Sequence, residues 1–254
     1  MNRRQDPPVL EVQNLWQRFG GVAALSDVSF SIAAEERVGV IGPNGAGKTT
    51  LLNCLMSSPG PHRGRVVFCG RDITNMATHL LVRMGISRSF QLVNIFQSLT
   101  VLQNMMLALG GRTPLFPFRA LRRFDSDREL RAQAHDALMA VGLAERAQLP
   151  ARSLAYGEQR RLDLLMALQG APRLVLLDEP SAGLTREERG KALDLVRAHS
   201  QASVLIIDHD LDTVYGIADR IIGLHQGRVI EEGTSAEIQE SEVLRRAYFG
   251  TVEG

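Results

Sequence analysis

Residues 42–50 read GPNGAGKTT. The spacing Gly42-x-x-x-x-Gly47-Lys48-Thr49 suits a loop that closes around phosphate: glycines let the backbone approach the anion, and its N–H groups point inward. Lys48 can reach β- and γ-phosphate oxygens, and the Thr49 hydroxyl can ligate Mg²⁺. The candidate phosphate site therefore comprises Gly42, Pro43, Asn44, Gly45, Ala46, Gly47, Lys48, Thr49 and Thr50. A second constellation is LVLLDEP, Leu174–Pro180, a buried apolar run ending in two adjacent acids. Asp178 is placed to hold Mg²⁺ through water, and Glu179 to polarise a water attacking a γ-phosphate. A strand capped by two solvated acids is the plain alternative; the phosphate loop on the same chain weighs against it.

Residues 154–161, LAYGEQRR, pose a different problem. A small-residue turn (Ala155, Tyr156, Gly157) runs into Glu158-Gln159-Arg160-Arg161 and the apolar-spaced Leu162, Leu164, Leu165 and Leu168. Such a helix start carries about half a positive charge and favours an anion. Yet the stretch has no Lys and no metal-binding Asp of its own.

The elements that must position these residues follow from hydrophobic patterning. Val9–Leu15 and Val28–Ile32 alternate as strands do and are separated by Gly20-Gly21. Arg37–Ile41 is a short buried-type strand leading into the phosphate loop and an apolar helix, Leu51–Met56. Further strands are expected at Val66–Cys69, Ile86–Phe90, Leu174–Leu177, Val204–Ile207, Ile221–Leu224 and Arg228–Glu231. Helices are expected at Val101–Leu109, Arg128–Val141, Glu158–Gln169, Glu187–His199 and near Val243–Tyr248. Strands alternating with helices predict an α/β fold with a mostly parallel sheet. The stretch Gln91–Arg152 has no strand pattern and reads as an inserted helical lobe, with Pro114, Pro117 and Gly110-Gly111 marking a loop.

The 254 residues carry 29 Lys+Arg against 28 Asp+Glu, a net charge of +1, which points away from a nucleic-acid-binding surface. Only two of the basic residues are lysines, Lys48 and Lys191. Cys54 and Cys69 have neither metal-ligand spacing nor a disulfide framework and read as buried thiols of a reducing compartment. No apolar run approaches the ~18 residues of a spanning helix. The expectation is a soluble protein that meets a membrane only through a partner.

The phosphate loop, LAYGE, LLDEP and then IIDHD, in that order, resemble the ATP-binding-cassette (ABC) ATPases over about Val9 to Gly250. The resemblance implies a P-loop NTPase core, 9–90 and 153–250, with an N-terminal antiparallel β part and a helical subdomain of about 91–152. It also implies ATP and Mg²⁺ as ligands. In that family the turn-and-helix motif faces the ATP held by a second cassette subunit, so Leu154, Ala155, Tyr156, Gly157 and Glu158 would meet a phosphate across a homo- or heterodimer interface. Phe19 matches the aromatic that stacks on adenine, with core packing the alternative. Gln91 matches the glutamine that approaches Mg²⁺ and the attacking water. His209 matches the histidine that contacts γ-phosphate. The implied catalytic set is Glu179, His209, Gln91 and Lys48, and the metal set is Thr49, Gln91 and Asp178. Ala155, Tyr156 and Thr185 depart from the family's usual Ser, Gly and Asp or Asn, and Tyr156 suggests a somewhat different turn.

SRSFQ, LTVLQNM, LAYGEQRRL and RRAYFG further resemble the ATP-binding subunits of bacterial importers of branched-chain and hydrophobic amino acids. That resemblance implies transmembrane permease subunits, a periplasmic solute-binding protein and a place on the inner face of the cell membrane. Urea, amide or aromatic-acid importers, a lipopolysaccharide-type exporter and a soluble non-transport ABC protein are the alternatives. Leu92, Ile95, Phe96 and Leu99 recur at roughly helical spacing, either filling the lobe's core or lining a groove for a permease helix.

Overall fold

The structure, a computed structural model, describes residues 7–59, 61, 63–89, 93–110, 127–199 and 201–249. Among the described residues, ten strands form two sheets. The first contains β1 (Leu10–Phe19), β2 (Val22–Ile32), β4 (Arg63–Phe68) and β5 (Arg71–Asp72), in the order β2-β1-β4-β5, all antiparallel. The second has the order β10-β9-β3-β8-β7-β6, where β3 is Arg37–Ile41, β6 Ile86–Ser89, β7 Leu174–Asp178, β8 Ser203–Ile207, β9 Arg220–His225 and β10 Arg228–Gly233. Only the β9–β10 pair is antiparallel in this sheet.

Strands buried on both faces need apolar residues at every position, and β7 and β8 have them. Leu174 and Leu176 join one core with Leu205 and Ile207, while Val175 and Leu177 join the opposite core with Val204 and Ile206. This period of two splits the residues between the sheet's faces. The first core lies against the antiparallel sheet and α1 (Lys48–Leu55). The second receives α3 (Val101–Gly110), α4 (Arg128–Ala140), α5 (Tyr156–Leu168) and α6 (Arg186–Ala198). Short helices α2 (Thr78–Met84), α7 (Leu211–Ile217) and α8 (Ser235–Glu240) are too brief to show a clear apolar period, and the sequence patterning does not find them. The last helix, α9, spans Glu242–Phe249.

Three local expectations are corrected. Residues 93–99 are not helical. Asn104 on α3 holds that stretch in an irregular path, its side chain accepting from Phe96 N at 2.8 Å and donating to Phe96 O at 3.0 Å. Ile95 is consequently buried while Phe96 stands 57% exposed. Cys69 is exposed rather than buried, because it occupies the positive-φ turn (φ 47) that follows β4. The helix expected from Glu158 begins at Tyr156, so Gly157 lies within its first turn and not in the loop before it. Gln91, Leu92, Pro114, Pro117, Gly111 and Gly250 lie outside the described residues. Among the described residues, no helix is long and apolar enough to cross a membrane.

Candidate functional site: a phosphate loop, two acids and a histidine

Adjacent strands β3, β8, β7 and β6 run parallel, and each leads at its C-terminal end toward one predicted site segment. Ile41 leads into the phosphate loop, Asp178 closes β7, His209 follows β8, and Ser89 closes β6 shortly before Gln91. Ligand sites of open α/β sheets lie at this edge.

The phosphate loop is tightly braced. A Cβ at Gly42 would come within 2.0 Å of Leu224 O on β9, so only glycine lets the chain leave β3 along this path. Ala46 N donates to Pro43 O at 3.1 Å, and Ala46 O accepts from Gly227 N at 2.9 Å, which fastens the loop to the β9–β10 hairpin. Lys48 is buried, its ammonium donating to Gly42 O (2.6 Å) and Pro43 O (3.0 Å). Burial pushes the Lys48 ammonium below its ordinary range, and the nearby Glu179 carboxylate partly opposes that shift. Asn44, Gly45 and Thr49 are exposed at the loop's rim, with Thr50 partly covered. Lys48 is also the first residue of α1, whose leading N–H groups have no partners within the helix.

Glu179 adopts a left-handed backbone (φ 49), an uncommon conformation for this residue type. Its N–H donates to Ile207 O at 2.7 Å, continuing the β7–β8 ladder by one residue. Its carboxylate then meets His209 Nε2, which lies 2.6 Å from Oε1. Asp178, one residue earlier, turns toward β6, where its Oδ2 accepts from Arg88 at 2.8 Å in an almost wholly buried pair. Arg88 also donates to Asn53 Oδ1 of α1 at 2.8 Å.

Three supporting residues were not singled out from the sequence, although all lie in or beside quoted motifs. Arg160, two residues past LAYGE, is fully buried and donates to the carbonyls of Asp178 (3.0 Å), Glu179 (2.6 Å) and Pro180 (3.3 Å). It clamps α5 to the segment that carries both acids. Asp208, beside His209, accepts from Ser181 N (3.0 Å) and Ser181 Oγ (2.8 Å), holding the chain after β7 against the chain after β8. Burial raises the Asp208 carboxyl above its usual range, and the Ser181 bonds oppose this. Arg88 is the third, and only its place in SRSF hinted at it.

In the LAYGE segment Ala155 and Tyr156 are exposed, whereas Leu154 and Gly157 are buried. Leu154 packs its side chain into the second core. Ala155 begins α5 in an extended conformation, its N–H donating to Glu158 Oε2 at 3.0 Å. Tyr156, 47% exposed, reaches Ala182 O with its hydroxyl at 3.4 Å. A Cβ on Gly157 would fall 1.9 Å from Glu188 Oε1, so glycine here leaves room for that carboxylate. Glu188 in turn accepts from Thr185 N at 2.9 Å as part of the α6 capping box. Thr185 thus serves as a helix cap. Phe19, at the end of β1, is 51% exposed, which disfavours core packing and leaves its ring open to a flat ligand.

A phosphate loop, a two-acid strand end, a following histidine and a glycine-containing helix start define the class of ATP-binding cassettes. The comparisons agree. The ABC transporter family profile matches residues 25–182, and the chain belongs to that family of ATP-hydrolysing cassettes. The chain is 37% identical over 250 residues to the high-affinity branched-chain amino acid transport ATP-binding protein LivG of Salmonella typhimurium, covering 96% of this chain and 98% of the relative. The ADP conformation of MJ1267, an ATP-binding cassette of an ABC transporter, superposes with a TM-score of 0.84 at 28% identity, covering 96% of this chain and all of that one. A dimeric post-hydrolysis cassette, MJ0796 with ADP and Pi, gives 0.76 at 26% identity, with coverage of 89% and 98%. The protein is a nucleotide-binding ATPase.

Proposed function

We propose that this chain is the ATP-hydrolysing subunit of an importer for branched-chain or related hydrophobic amino acids. The observation that carries the reading is the near end-to-end match to LivG, whose name states that transport. The catalytic core is proposed to be 9–90 with 153–250, and 91–152 the helical subdomain.

Within one site, Lys48 and the backbone of Gly42–Thr50 bind the triphosphate, Phe19 covers the base, and Glu179 takes the proton of the attacking water. His209, bonded to Glu179 in this structure, orients that carboxylate and reaches the γ-phosphate side; Gln91 approaches the same water. Thr49 and Gln91, with Asp178 through water, would hold Mg²⁺, which would neutralise charge on the phosphates. Among the described residues no group of three His, Cys, Asp or Glu is placed to hold a metal. A hydroxyl and one acid beside phosphates suit Mg²⁺, which seldom uses an all-protein cage. Leu154–Glu158 of one subunit closes on the nucleotide of a second cassette, which the exposure of Ala155 and Tyr156 allows. Membrane-spanning permease subunits complete the transporter on the inner membrane face, and a periplasmic binding protein delivers the solute.

The exposed Phe96 is the proposed contact with a permease, whereas the buried Ile95 is not. Uptake of labelled leucine by cells depleted of the native subunit tests the assignment. Wild-type chain restores uptake, Lys48→Ala does not, and Phe96→Asp fails to restore uptake or co-purify with permease while its purified form hydrolyses ATP. Restoration of a different solute's uptake but not leucine's would reject the substrate class.

A further inference from the structure

The C-terminal helix α9 reaches the phosphate loop. Three anchors fix it. Ser241 Oγ accepts from Leu244 N at 3.1 Å at the helix start and itself bonds Glu231 on β10. Leu244 is buried against Gly223, where a Cβ would come within 2.5 Å of Leu244 Cδ2. That leucine shares a core cluster with Ile41, the residue immediately before the loop. At the far end, the Tyr248 hydroxyl accepts a hydrogen bond from Gly42 N at 2.7 Å, across 206 positions of sequence.

The Gly42 residue is thereby held on both sides: its N–H by Tyr248, its carbonyl by the Lys48 ammonium at 2.6 Å. A lysine that turns to phosphate oxygens gives up or shares its carbonyl partners. Of the two holds, the one from Tyr248 does not depend on where that ammonium points. We infer that Tyr248 is a positioning residue for nucleotide binding, fixing the first residue of the phosphate loop when Lys48 engages phosphate. This rests on the reading of Gly42–Thr50 as the nucleotide site. The hydroxyl contributes most in the nucleotide-bound state, so its loss weakens affinity more than it weakens the fold.

Tyr248→Phe keeps the ring and deletes the bond. A hydrogen bond of ordinary net strength predicts that the Kd for MgADP and the KM for MgATP each rise about threefold to tenfold. The kcat stays within about twofold, the split expected of lost binding and not of lost chemistry. The melting temperature, measured alongside, is expected to stay within about 2 °C. Unchanged Kd and KM overturn the inference. A fall in kcat at constant KM, or a large loss of melting temperature accompanying any affinity change, overturns it too, since each describes a different role. Lys48→Ala is titrated in parallel: if it also binds MgADP normally, the nucleotide-site reading fails, and the inference with it. Loss of binding in Lys48→Ala beside a normal Tyr248→Phe refutes the inference alone.

Discussion

His209 Nε2 and Glu179 Oε1 lie 2.6 Å apart, on chains leaving neighbouring parallel strands. Glu179 is buried in a left-handed turn, and the imidazole is more than half exposed. The histidine therefore covers the acid from the solvent side. Replacing it with alanine should leave the acid in place but unoriented. Steady-state ATPase assays of His209→Ala should show kcat lowered on the order of 10²-fold, with KM within a few-fold. Unchanged kcat with a raised KM would make the histidine a binding group only.

The Arg88–Asp178 pair predicts a stability effect of another kind. Both side chains are almost wholly buried, so Arg88→Met leaves a carboxylate in the interior without its cation. Such a break typically costs about 3–5 kcal/mol. Denaturant unfolding of Arg88→Met, Asp178→Asn and the double variant should show the double far less destabilised than the sum of the singles. Additive losses would mean that the two charges do not act as a pair.

The phosphate loop and the DEP acids stand out because each is a fixed residue type at the end of an apolar strand, whereas His209 is picked out only by the resemblance to the ABC ATPases. Sequence patterning located β3, β7 and β8 to within about one residue for the same reason. What joins these segments was not legible. Arg160 looks like any arginine on a helix, and nothing local says that it enters the core to bond the carbonyls of residues 178–180. Phe96 and Ile95 are both apolar and have opposite fates, decided by Asn104 several residues later. Gly157 lies in a motif expected to meet a phosphate, and within this chain it leaves room for Glu188. Each of these depends on packing between distant segments, which a single-chain pattern does not encode.

Gly157 yields a third expectation. A methyl group there meets the Glu188 carboxylate and displaces it from the Thr185 N–H that it caps. Gly157→Ala should lower stability by about 1 kcal/mol, the usual worth of a helix cap. In a Glu188→Ala background the same substitution should cost nothing further. Thermal unfolding of the four proteins makes the comparison, and an undiminished cost in that background would place the clash elsewhere.

Glu179, the proposed base for ATP hydrolysis, would act at a site completed by a second cassette. Glu179→Gln preserves size and leaves Asp178 and Lys48 untouched. Its MgATP turnover and its size on a calibrated column are measured together. Turnover should fall by at least ~10²-fold, ATP affinity should stay within a few-fold, and the protein should run as a dimer with ATP and as a monomer without it. Near-normal turnover in Glu179→Gln would rule out Glu179 as the base.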